Sequence, residues 1–276
     1  MSSGAPALTR ALPSLTRPRQ AVILAGGRGE RLGALTDDLP KPMLEFHGRP
    51  FLEYLVELLA GQGFDRVLLL LGYRPEPIRA HFAGGDVSGV CVECRSTPPE
   101  ALTLARLRDA HPHLDRRFLL MYCDNYWPMC FADMWREFED ARPGVQLTAY
   151  ANRDRRSAGN LRLDEHGYVT RYDPTRKAPG LQAVDIGFAI VERAVLDAPP
   201  AADASFEDAV YPRLVRERRL RAFLTDHPYY SVGSPDRLAR TERFLARTPT
   251  VILDRDGVLN RRPPRGRYVE IGRAHV

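Results

Sequence analysis

A glycine-rich turn near the start of the chain carries residue types that bind phosphate. Residues 24–32 read LAGGRGERL, and residues 40–43 read PKPM. Glycines let backbone N–H groups approach phosphate oxygens closely, and a turn with several such donors binds anions. Arg31 can bind two phosphate oxygens with its forked guanidinium, and Lys41 adds a mobile positive charge. The spacing matches neither the fingerprint GxGxxG nor the Walker A motif, so a structural turn with surface cations is the alternative.

A second candidate is an acid at the end of an apolar segment. Residues 119–125 read LLMYCDN, which places Asp124 directly after a run typical of a buried strand. A carboxylate in that position can hold Mg²⁺ against phosphate oxygens, so Asp124 is predicted as a metal ligand with Mg²⁺ as the cofactor. A helix N-cap or an Asx-turn is the alternative interpretation.

The order of apolar segments predicts the fold that positions these residues. Strands are predicted at residues 21–24, 67–71, 90–93, 118–122, 146–150 and 184–191, with a hairpin over 161–163 and 168–172. Helices are predicted at residues 51–59, 77–82, 101–110, 131–138, 206–215 and 235–245. This alternation predicts an α/β fold with a Rossmann-like, mostly parallel mixed sheet and helices on both faces. Ligands of such sheets bind beyond the carboxyl ends of the strands, where the glycine-rich turn and Asp124 both fall.

Composition excludes several classes of protein. The 276 residues are 44% hydrophobic, which is enough for one sizeable core. No run approaches the roughly 20 apolar residues of a membrane helix. The net charge of +5 is scattered along the chain, so no nucleic-acid partner and no membrane partner is predicted. The four cysteines lack zinc-ligand spacing and are predicted to be buried reduced thiols of a cytoplasmic protein.

The string LAGGRGERL followed by PKPM resembles the signature of the sugar-1-phosphate nucleotidyltransferase family. The resemblance implies the nucleotide-diphospho-sugar transferase fold. It also implies a reaction that couples a sugar 1-phosphate to a nucleoside triphosphate with release of pyrophosphate. By this resemblance the catalytic residues are Arg31 at the pyrophosphate, Lys41 at the reacting phosphates and Asp124 at Mg²⁺. The residues implied to bind the nucleotide are Leu24, Ala25, Gly26, Gly27, Gly29 and Arg31.

A later stretch resembles the part of that family that binds the sugar phosphate. The strings YDPTRK over residues 172–177 and VDIGF over residues 184–188 carry this resemblance. It assigns Asp173 to the sugar hydroxyls, Lys177 to the sugar phosphate and Gly187 to a close approach of the sugar. Asn160 and Asp185 complete the implied set of acceptor-binding residues.

Two segments depart from the family pattern. Residues 96–103 read STPPEALT and lack the glycine turn with which many members contact the base and ribose. Ser231, in the string YYSVGSP, occupies the place where many members have a second metal aspartate. A hydroxyl is a much weaker ligand for Mg²⁺ than a carboxylate, so Asp185 or the nucleotide phosphates would have to complete the coordination.

The end of the chain resembles a different family. Residues 251–260 read VILDRDGVLN, similar to the first motif of haloacid-dehalogenase phosphatases, with Asp254 and Asp256 as its two aspartates. The predicted organisation is a disordered basic tail over 1–19, the nucleotidyltransferase domain over 20–247, and a linker with a truncated phosphatase start over 248–269. Residues 270–276 are suspected to be a sequencing artefact. No phosphatase activity is predicted.

This order of domains, together with the string LLMYCDNYWP, resembles the enzymes of GDP-heptose synthesis. The implied substrates are GTP and D-glycero-D-manno-heptose 1-phosphate, giving GDP-heptose. The alternatives are mannose or glucose 1-phosphate as the acceptor, or a catalytically weak regulator that binds a nucleotide-sugar on the same fold. The sequence leaves the base, the sugar and the formation of a homo-oligomer open.

Overall fold

The computed structural model describes residues 15–155, 157–198 and 204–246. The predicted phosphatase motif with Asp254 and Asp256, the suspected artefact over 270–276 and residues 1–14 of the predicted tail lie outside the described residues. Residues 15–19 of that predicted tail contact the domain. The guanidinium of Arg17 lies 5.0 Å from the ring centroid of Phe131, and Arg19 forms an ion pair with Asp65 at 2.5 Å.

Strands and helices alternate along the described chain. Within it, the strands are β1 (Gln20–Ala25), β2 (Glu45–Phe46), β3 (Arg49–Pro50), β4 (Arg66–Leu71), β5 (Asp86–Val87), β6 (Val90–Ser96), β7 (Arg117–Tyr122), β8 (Asn125–Tyr126), β9 (Val145–Tyr150), β10 (Leu161–Leu163), β11 (Val169–Tyr172), β12 (Val184–Glu192), β13 (Leu220–Thr225) and β14 (Tyr230–Ser231). The α-helices are α1 (Phe51–Gly61), α2 (Glu76–His81), α3 (Thr103–Asp109), α4 (Phe131–Ala141), α5 (Phe206–Arg216) and α6 (Pro235–Leu245). Short 3₁₀ helices cover Glu30–Thr36, Lys41–Met43, His111–His113 and Arg193–Leu196.

The central feature is an eight-stranded sheet in the order β13-β9-β12-β7-β1-β4-β6-β5. Strands β12 and β5 run antiparallel to their neighbours. The other six strands all run in the same direction. All six residues of β1 are buried because the strand is central and covered on both faces. The predicted mostly parallel mixed sheet is confirmed.

Helices cover both faces of the sheet, as predicted. One core contains apolar residues of α1, α2 and α4, including Leu55, Ile78 and Phe138. The other core contains residues of α3 and α5, including Leu107 and Leu214. The stripe of apolar residues along α1 is what buries that helix, because side chains three or four positions apart share one face. Among the described helices, none has both the length and the apolar character that a bilayer crossing requires.

A small strand pair brings the end of the domain to the predicted metal ligand. Strand β14 pairs antiparallel with β8, with Ser231 opposite Asn125. The N–H of Val232 also donates to the carbonyl of Asp124 at 2.9 Å. Residues that lie more than 100 positions apart in the sequence therefore meet at the carboxyl end of β7.

Candidate active site

A cleft of about 510 Å³ lies at the carboxyl ends of β1 and β7. Its lining includes most of the residues predicted to bind the nucleotide: Leu24, Gly26, Gly27, Gly29 and Arg31. Lys41 and Asp124 line the same cleft. Ala25 does not, because its side chain is 1% exposed and packs in the core on the α1 side of the sheet. The structure therefore assembles the predicted phosphate site with the exception of the Ala25 side chain.

The two groups assigned to the reacting phosphates and the metal touch each other. The ammonium of Lys41 donates to Oδ2 of Asp124 at 2.8 Å. Lys41 is held in place by a 3₁₀ helix that starts at this residue, and its side chain is 11% exposed. The Asp124 side chain is 27% exposed, so the pair faces the cleft from a partly desolvated floor. A buried cation beside an accessible carboxylate is suited to binding a phosphate together with its metal ion.

Gly233 completes the floor of the cleft, although the sequence analysis did not select it. A Cβ on Gly233 would lie 3.1 Å from Ser231 Oγ, 3.3 Å from Arg31 Nη2 and 3.7 Å from Lys41 Nζ. These three polar groups therefore surround one point. Ser231 accepts a hydrogen bond from the N–H of Gly233 at 3.0 Å and is buried. Its hydroxyl stands beside the two cations at the position that the resemblance aligned with a metal aspartate.

Arg106 is a further residue that sequence reasoning missed. It projects from α3 beneath the glycine-rich turn and is 3% exposed, yet it lines the cleft. Its guanidinium donates to the carbonyls of Leu71 at 2.6 Å and Pro99 at 3.0 Å, and to Thr97 Oγ1 at 2.5 Å. Burial lowers the pKa of Arg106 from its ordinary value. The guanidinium also donates to the carbonyl of Gly26 at 3.5 Å, so the side chain ties the turn after β1 to the segment after β6 that lacks the expected glycines.

Asp124 is the carboxylate that could hold a metal ion in the cleft. No group of three or more His, Cys, Asp or Glu side chains that could enclose a metal ion occurs among the described residues. Mg²⁺ is often held by only one or two carboxylates, with water and substrate phosphates completing its coordination. Asp124 fits this arrangement because its carboxylate is accessible from the cleft.

The five residues predicted to bind the acceptor form one hydrogen-bonded group. Oδ1 of Asn160 accepts from the N–H of Asp185, and the carbonyl of Asn160 accepts from the N–H of Asp173. Asp173 Oδ2 accepts from the N–H of Lys177 at 3.1 Å, and Asp185 Oδ1 accepts from the N–H of Gly187 at 2.9 Å. The structure thus brings these residues together, while their roles toward a sugar stay predictions.

Within this group, Asp173 and Gly187 have structural tasks that explain their residue types. Asp173 accepts four hydrogen bonds from its own loop, from Thr175, Lys177 and Ala178, which hold its pKa down at about 2. Gly187 has a φ of 80°, a conformation that favours glycine. A Cβ there would lie 3.2 Å from the Tyr122 ring. The Tyr122 ring therefore lies where the side chain of any other residue at this position would point, and the role of Gly187 toward a sugar stays a prediction.

A cluster of acids and tyrosines borders this group. Tyr122, which lines the cleft, donates a hydrogen bond to Oε1 of Glu207 at the start of α5. Burial raises the pKa of Asp185 to about 7 and also raises the pKa of Glu207. Repulsion between these two carboxylates acts in the same direction. The sequence analysis selected Asp185 but not Glu207. No local motif indicates that the start of α5 lies beside the end of β7.

The cysteines differ in part from the prediction. All four are free, as expected. Cys123 is buried, and burial raises the pKa of its thiol to about 12. Cys91 and Cys130 are exposed, so the prediction that all four thiols are buried was wrong. Cys91 lies on β6, close to the edge of the sheet, where alternate side chains face solvent.

The arrangement of glycine turn, paired cations and accessible carboxylate agrees with comparison to known proteins. Residues 21–242 match the MobA-like NTP transferase domain. The chain belongs to this family. The chain is therefore an enzyme of the nucleotidyltransferase class, as the sequence analysis predicted.

Individual relatives of the chain are distant. It is 27% identical over 236 residues to mannose-1-phosphate guanylyltransferase of Mycobacterium tuberculosis, with 84% of this chain and 66% of that protein covered. It is 23% identical over 238 residues to D-glycero-alpha-D-manno-heptose 1-phosphate guanylyltransferase of Aneurinibacillus thermoaerophilus, with 82% of this chain and 98% of that protein covered. HddC from Yersinia pseudotuberculosis shares the fold, with a TM-score of 0.67 at 22% identity over 82% of this chain and 99% of that chain. The chain spans just under two thirds of the mycobacterial relative and nearly all of the other two.

Proposed function

We propose that this protein joins a sugar 1-phosphate to a nucleoside triphosphate and releases pyrophosphate. The observation that carries the proposal is the convergence of Arg31, Lys41 and Asp124 on one cleft below a glycine-rich turn. Two polyanions repel each other, so an enzyme that couples them needs cations at the point where they meet. The names of the relatives support a sugar 1-phosphate as the acceptor.

The proposed reaction needs positioning more than acid–base chemistry. An oxygen of the sugar phosphate attacks the α-phosphorus, the bond from that phosphorus to the β-phosphate oxygen breaks, and pyrophosphate leaves on the opposite side. The backbone of the glycine-rich turn and Arg31 hold the leaving pyrophosphate. Lys41 neutralises charge between the two reacting phosphates. Bound at Asp124, Mg²⁺ would supply further positive charge to the phosphate oxygens.

GTP is the nucleotide that we propose. Glu100, Ala101 and Leu102 also line the cleft, and Leu102 is 43% exposed. The apolar side chains offer a surface for the flat face of a base. Guanine presents two adjacent donors, N1–H and N2–H₂, and a carboxylate such as Glu100 can accept from both. Two of the relatives are named as guanylyltransferases, which supports this choice.

For the acceptor we propose D-glycero-D-manno-heptose 1-phosphate, so that the product is GDP-heptose. The support is the segment LLMYCDNYWP and the name of the Aneurinibacillus relative. Mannose 1-phosphate is the principal alternative, because the mycobacterial relative is named for it, and glucose 1-phosphate is a further one. Mg²⁺ at Asp124 and formation of a homo-oligomer belong to the same proposal.

A catalytically weak regulator is the second candidate function, and the buried hydroxyl of Ser231 is the observation that favours it. A single metal carboxylate at Asp124 would give weaker charge neutralisation than two. Such a protein would bind a nucleotide or nucleotide-sugar without turning it over. Turnover that depends on added Mg²⁺ separates the two candidates.

The full chain should therefore be incubated with Mg²⁺, each of the four ribonucleoside triphosphates or dTTP, and a panel of sugar 1-phosphates. Pyrophosphate release and the mass of the product are the measurements. GDP-heptose as the best product would support the whole proposal. A different nucleotide-sugar would support the reaction and overturn the proposed substrates. Nucleotide binding without turnover for any pair would overturn the reaction and favour the regulator.

A further inference from the structure

The guanidinium of Arg106 contacts the backbone that follows three neighbouring strands. It donates to the carbonyl of Leu71, the last residue of β4, at 2.6 Å. In the segment after β6 it donates to Thr97 Oγ1 at 2.5 Å and to the carbonyl of Pro99 at 3.0 Å. Its contact with the carbonyl of Gly26 after β1 is longer, at 3.5 Å. Because β1, β4 and β6 are adjacent in the sheet, one side chain of α3 joins the segments at the ends of all three.

The backbone at the ends of β1 and β4 leaves room for this guanidinium. A Cβ on Gly26 would lie 2.5 Å from the guanidinium carbon of Arg106, and a Cβ on Gly72 would lie 2.7 Å from the same atom. Neither position can therefore take a larger residue unless the guanidinium moves. Arg106 is 3% exposed, so such a movement would break buried hydrogen bonds. The two glycines and the arginine fit one another, which indicates a defined position for the guanidinium.

The segment after β6 needs donors from the rest of the protein. Its pairing with β4 continues to Thr97, whose N–H donates to the carbonyl of Leu71 at 3.1 Å. Pro98 and Pro99 follow, and proline has no N–H, so this part of the segment offers only acceptors. The carbonyl of Pro98 accepts from Ala101 within the segment at 3.0 Å, whereas the carbonyl of Pro99 accepts from Arg106. Arg106 therefore fixes the part of the segment that lies beyond the sheet.

This part of the segment faces the nucleotide cleft. Pro99, Glu100, Ala101 and Leu102 all line it, and so does Arg106. Burial lowers the pKa of Arg106, and the negative charge of Glu100 opposes this lowering, so the two groups lie within electrostatic range. The guanidinium therefore acts both on the backbone of the segment and on the carboxylate that we propose to bind guanine.

We propose that Arg106 is a positioning residue for the nucleoside, and that it replaces the glycine turn that residues 96–103 lack. The inference rests on the proposed function and deepens it. A glycine turn shapes a binding wall through its own backbone conformation, whereas here a buried guanidinium holds a segment that contains two prolines. A wall that is already ordered binds its ligand more tightly, because the ligand does not have to order it.

The glycine-rich turn depends less on Arg106. The carbonyl of Gly26 also accepts a hydrogen bond from the N–H of Tyr73 at 3.1 Å, which is shorter than its contact with the guanidinium. This turn is the part of the cleft that we propose to hold the phosphates. Loss of the hydrogen bonds of Arg106 should therefore weaken binding of the nucleoside more than binding of the phosphates. A direct attraction between the Arg106 charge and the phosphates is the competing role.

The test compares nucleotides with a phosphate chain that has no nucleoside. GTP, CTP, UTP and ATP, and separately inorganic tripolyphosphate, are titrated by calorimetry into the full chain with Mg²⁺. Arg106→Lys keeps the positive charge, but a single ammonium cannot reproduce the fork that reaches several acceptors. We expect this variant to raise the Kd of the tightest nucleotide by roughly tenfold, and to leave the Kd of tripolyphosphate within about twofold of the wild-type value.

Two further variants serve as a milder change and as a control. Thr97→Val retains Arg106 and removes one of its acceptors, so it should raise the Kd of the nucleotide by roughly threefold and leave that of tripolyphosphate unchanged. This variant tests the proposal even if Arg106→Lys does not fold. Arg108→Met removes a guanidinium from the same helix that donates to the carbonyl of Ala198 outside the cleft, and it should leave both Kd values unchanged.

Three results would overturn the role of Arg106. They are wild-type protein that binds tripolyphosphate as tightly as every nucleotide, Arg106→Lys and Thr97→Val proteins that bind nucleotide as wild type does, and a parallel rise of both Kd values in Arg106→Lys. A selective loss of nucleotide affinity without nucleotide-sugar formation by the wild type would uphold this role and overturn the proposed function. Nucleotide-sugar formation by the wild type with unchanged binding in the variants would do the reverse.

Discussion

The ammonium of Lys41 lies 2.8 Å from the carboxylate of Asp124, so each of these residues is the counter-ion of the other. Lys41 comes from the segment after the glycine-rich turn, and Asp124 from the end of β7. Their contact fixes the position of both groups on the floor of the cleft. Phosphate and metal binding would then exchange one set of charge contacts for another, without exposing an unpaired buried charge.

Lys41→Met should reduce kcat by roughly 10²- to 10³-fold, because it removes a preorganised positive charge from the point where the phosphates meet. Pyrophosphate release under saturating substrates is the measurement. Arg136→Met removes an exposed cation from α4, outside the cleft, and should leave the rate close to the wild-type value. Equal losses in the two variants would contradict the assignment of Lys41.

The residues of the phosphate site could be predicted because their signals are local. A buried strand followed by glycines specifies a turn at the carboxyl end of that strand, and β1 and β7 both end where their apolar runs end. The alternation of segments then places Asp124 near that turn. The short strings and the order of the segments together predicted that Gly26, Lys41 and Asp124 lie at one cleft.

The features that the sequence did not predict depend on contacts between distant segments. Arg106 on α3 could not be distinguished from a surface arginine, because its hydrogen-bond partners lie at the end of β4 and in the loop after β6. Strand β13 was not predicted, because Arg221 and the arginines before the strand make this edge segment look polar in the sequence. Gly233 could not be selected from the sequence, because its place in the cleft depends on the pairing of β14 with β8.

Gly26→Ala should destabilise the protein, whereas Gly27→Ala should not. A Cβ on Gly26 would lie 2.5 Å from the guanidinium carbon of Arg106, which is buried and held by several hydrogen bonds. A Cβ on Gly27 would have no atom within 4 Å. Overpacking of this kind costs about 1–3 kcal/mol in free energy of unfolding. Chemical denaturation of the two variants measures the difference, and indistinguishable curves would show that Arg106 moves aside at no cost.

Glu100 should set the preference for guanine over hypoxanthine. ITP lacks the N2 amino group of GTP, so one of the two donors that a carboxylate could bind is missing. Glu100→Gln should lower kcat/KM for GTP by roughly tenfold and bring the ratio of GTP to ITP efficiency toward one. Steady-state rates with both nucleotides give the ratio. Glu93→Gln, an exposed change on β6 outside the cleft, is the control, and an unaltered ratio in Glu100→Gln would place the base elsewhere.

The ionisation of Asp185 should make the protein less stable as the pH rises. Burial raises its pKa from an ordinary value of 3.8 to about 7. Between these two values the folded protein binds the proton that the unfolded chain has lost, so the free energy of unfolding decreases as the pH rises through this range. The penalty is complete above pH 7 and absent below the ordinary pKa. Glu207, whose pKa burial also raises, contributes with the same sign.

Asp185→Asn removes this ionisation and keeps an oxygen that can accept from the N–H of Gly187. The Tm of the variant relative to wild type should therefore increase as the pH rises from about 4 to about 7, since only the wild type must ionise a buried carboxyl. Thermal unfolding at several pH values measures this difference. Glu165→Gln alters a side chain that is 87% exposed and should follow the wild-type profile. A difference between Asp185→Asn and wild type that stays constant with pH would mean that Asp185 ionises as freely in the folded protein as in the unfolded chain.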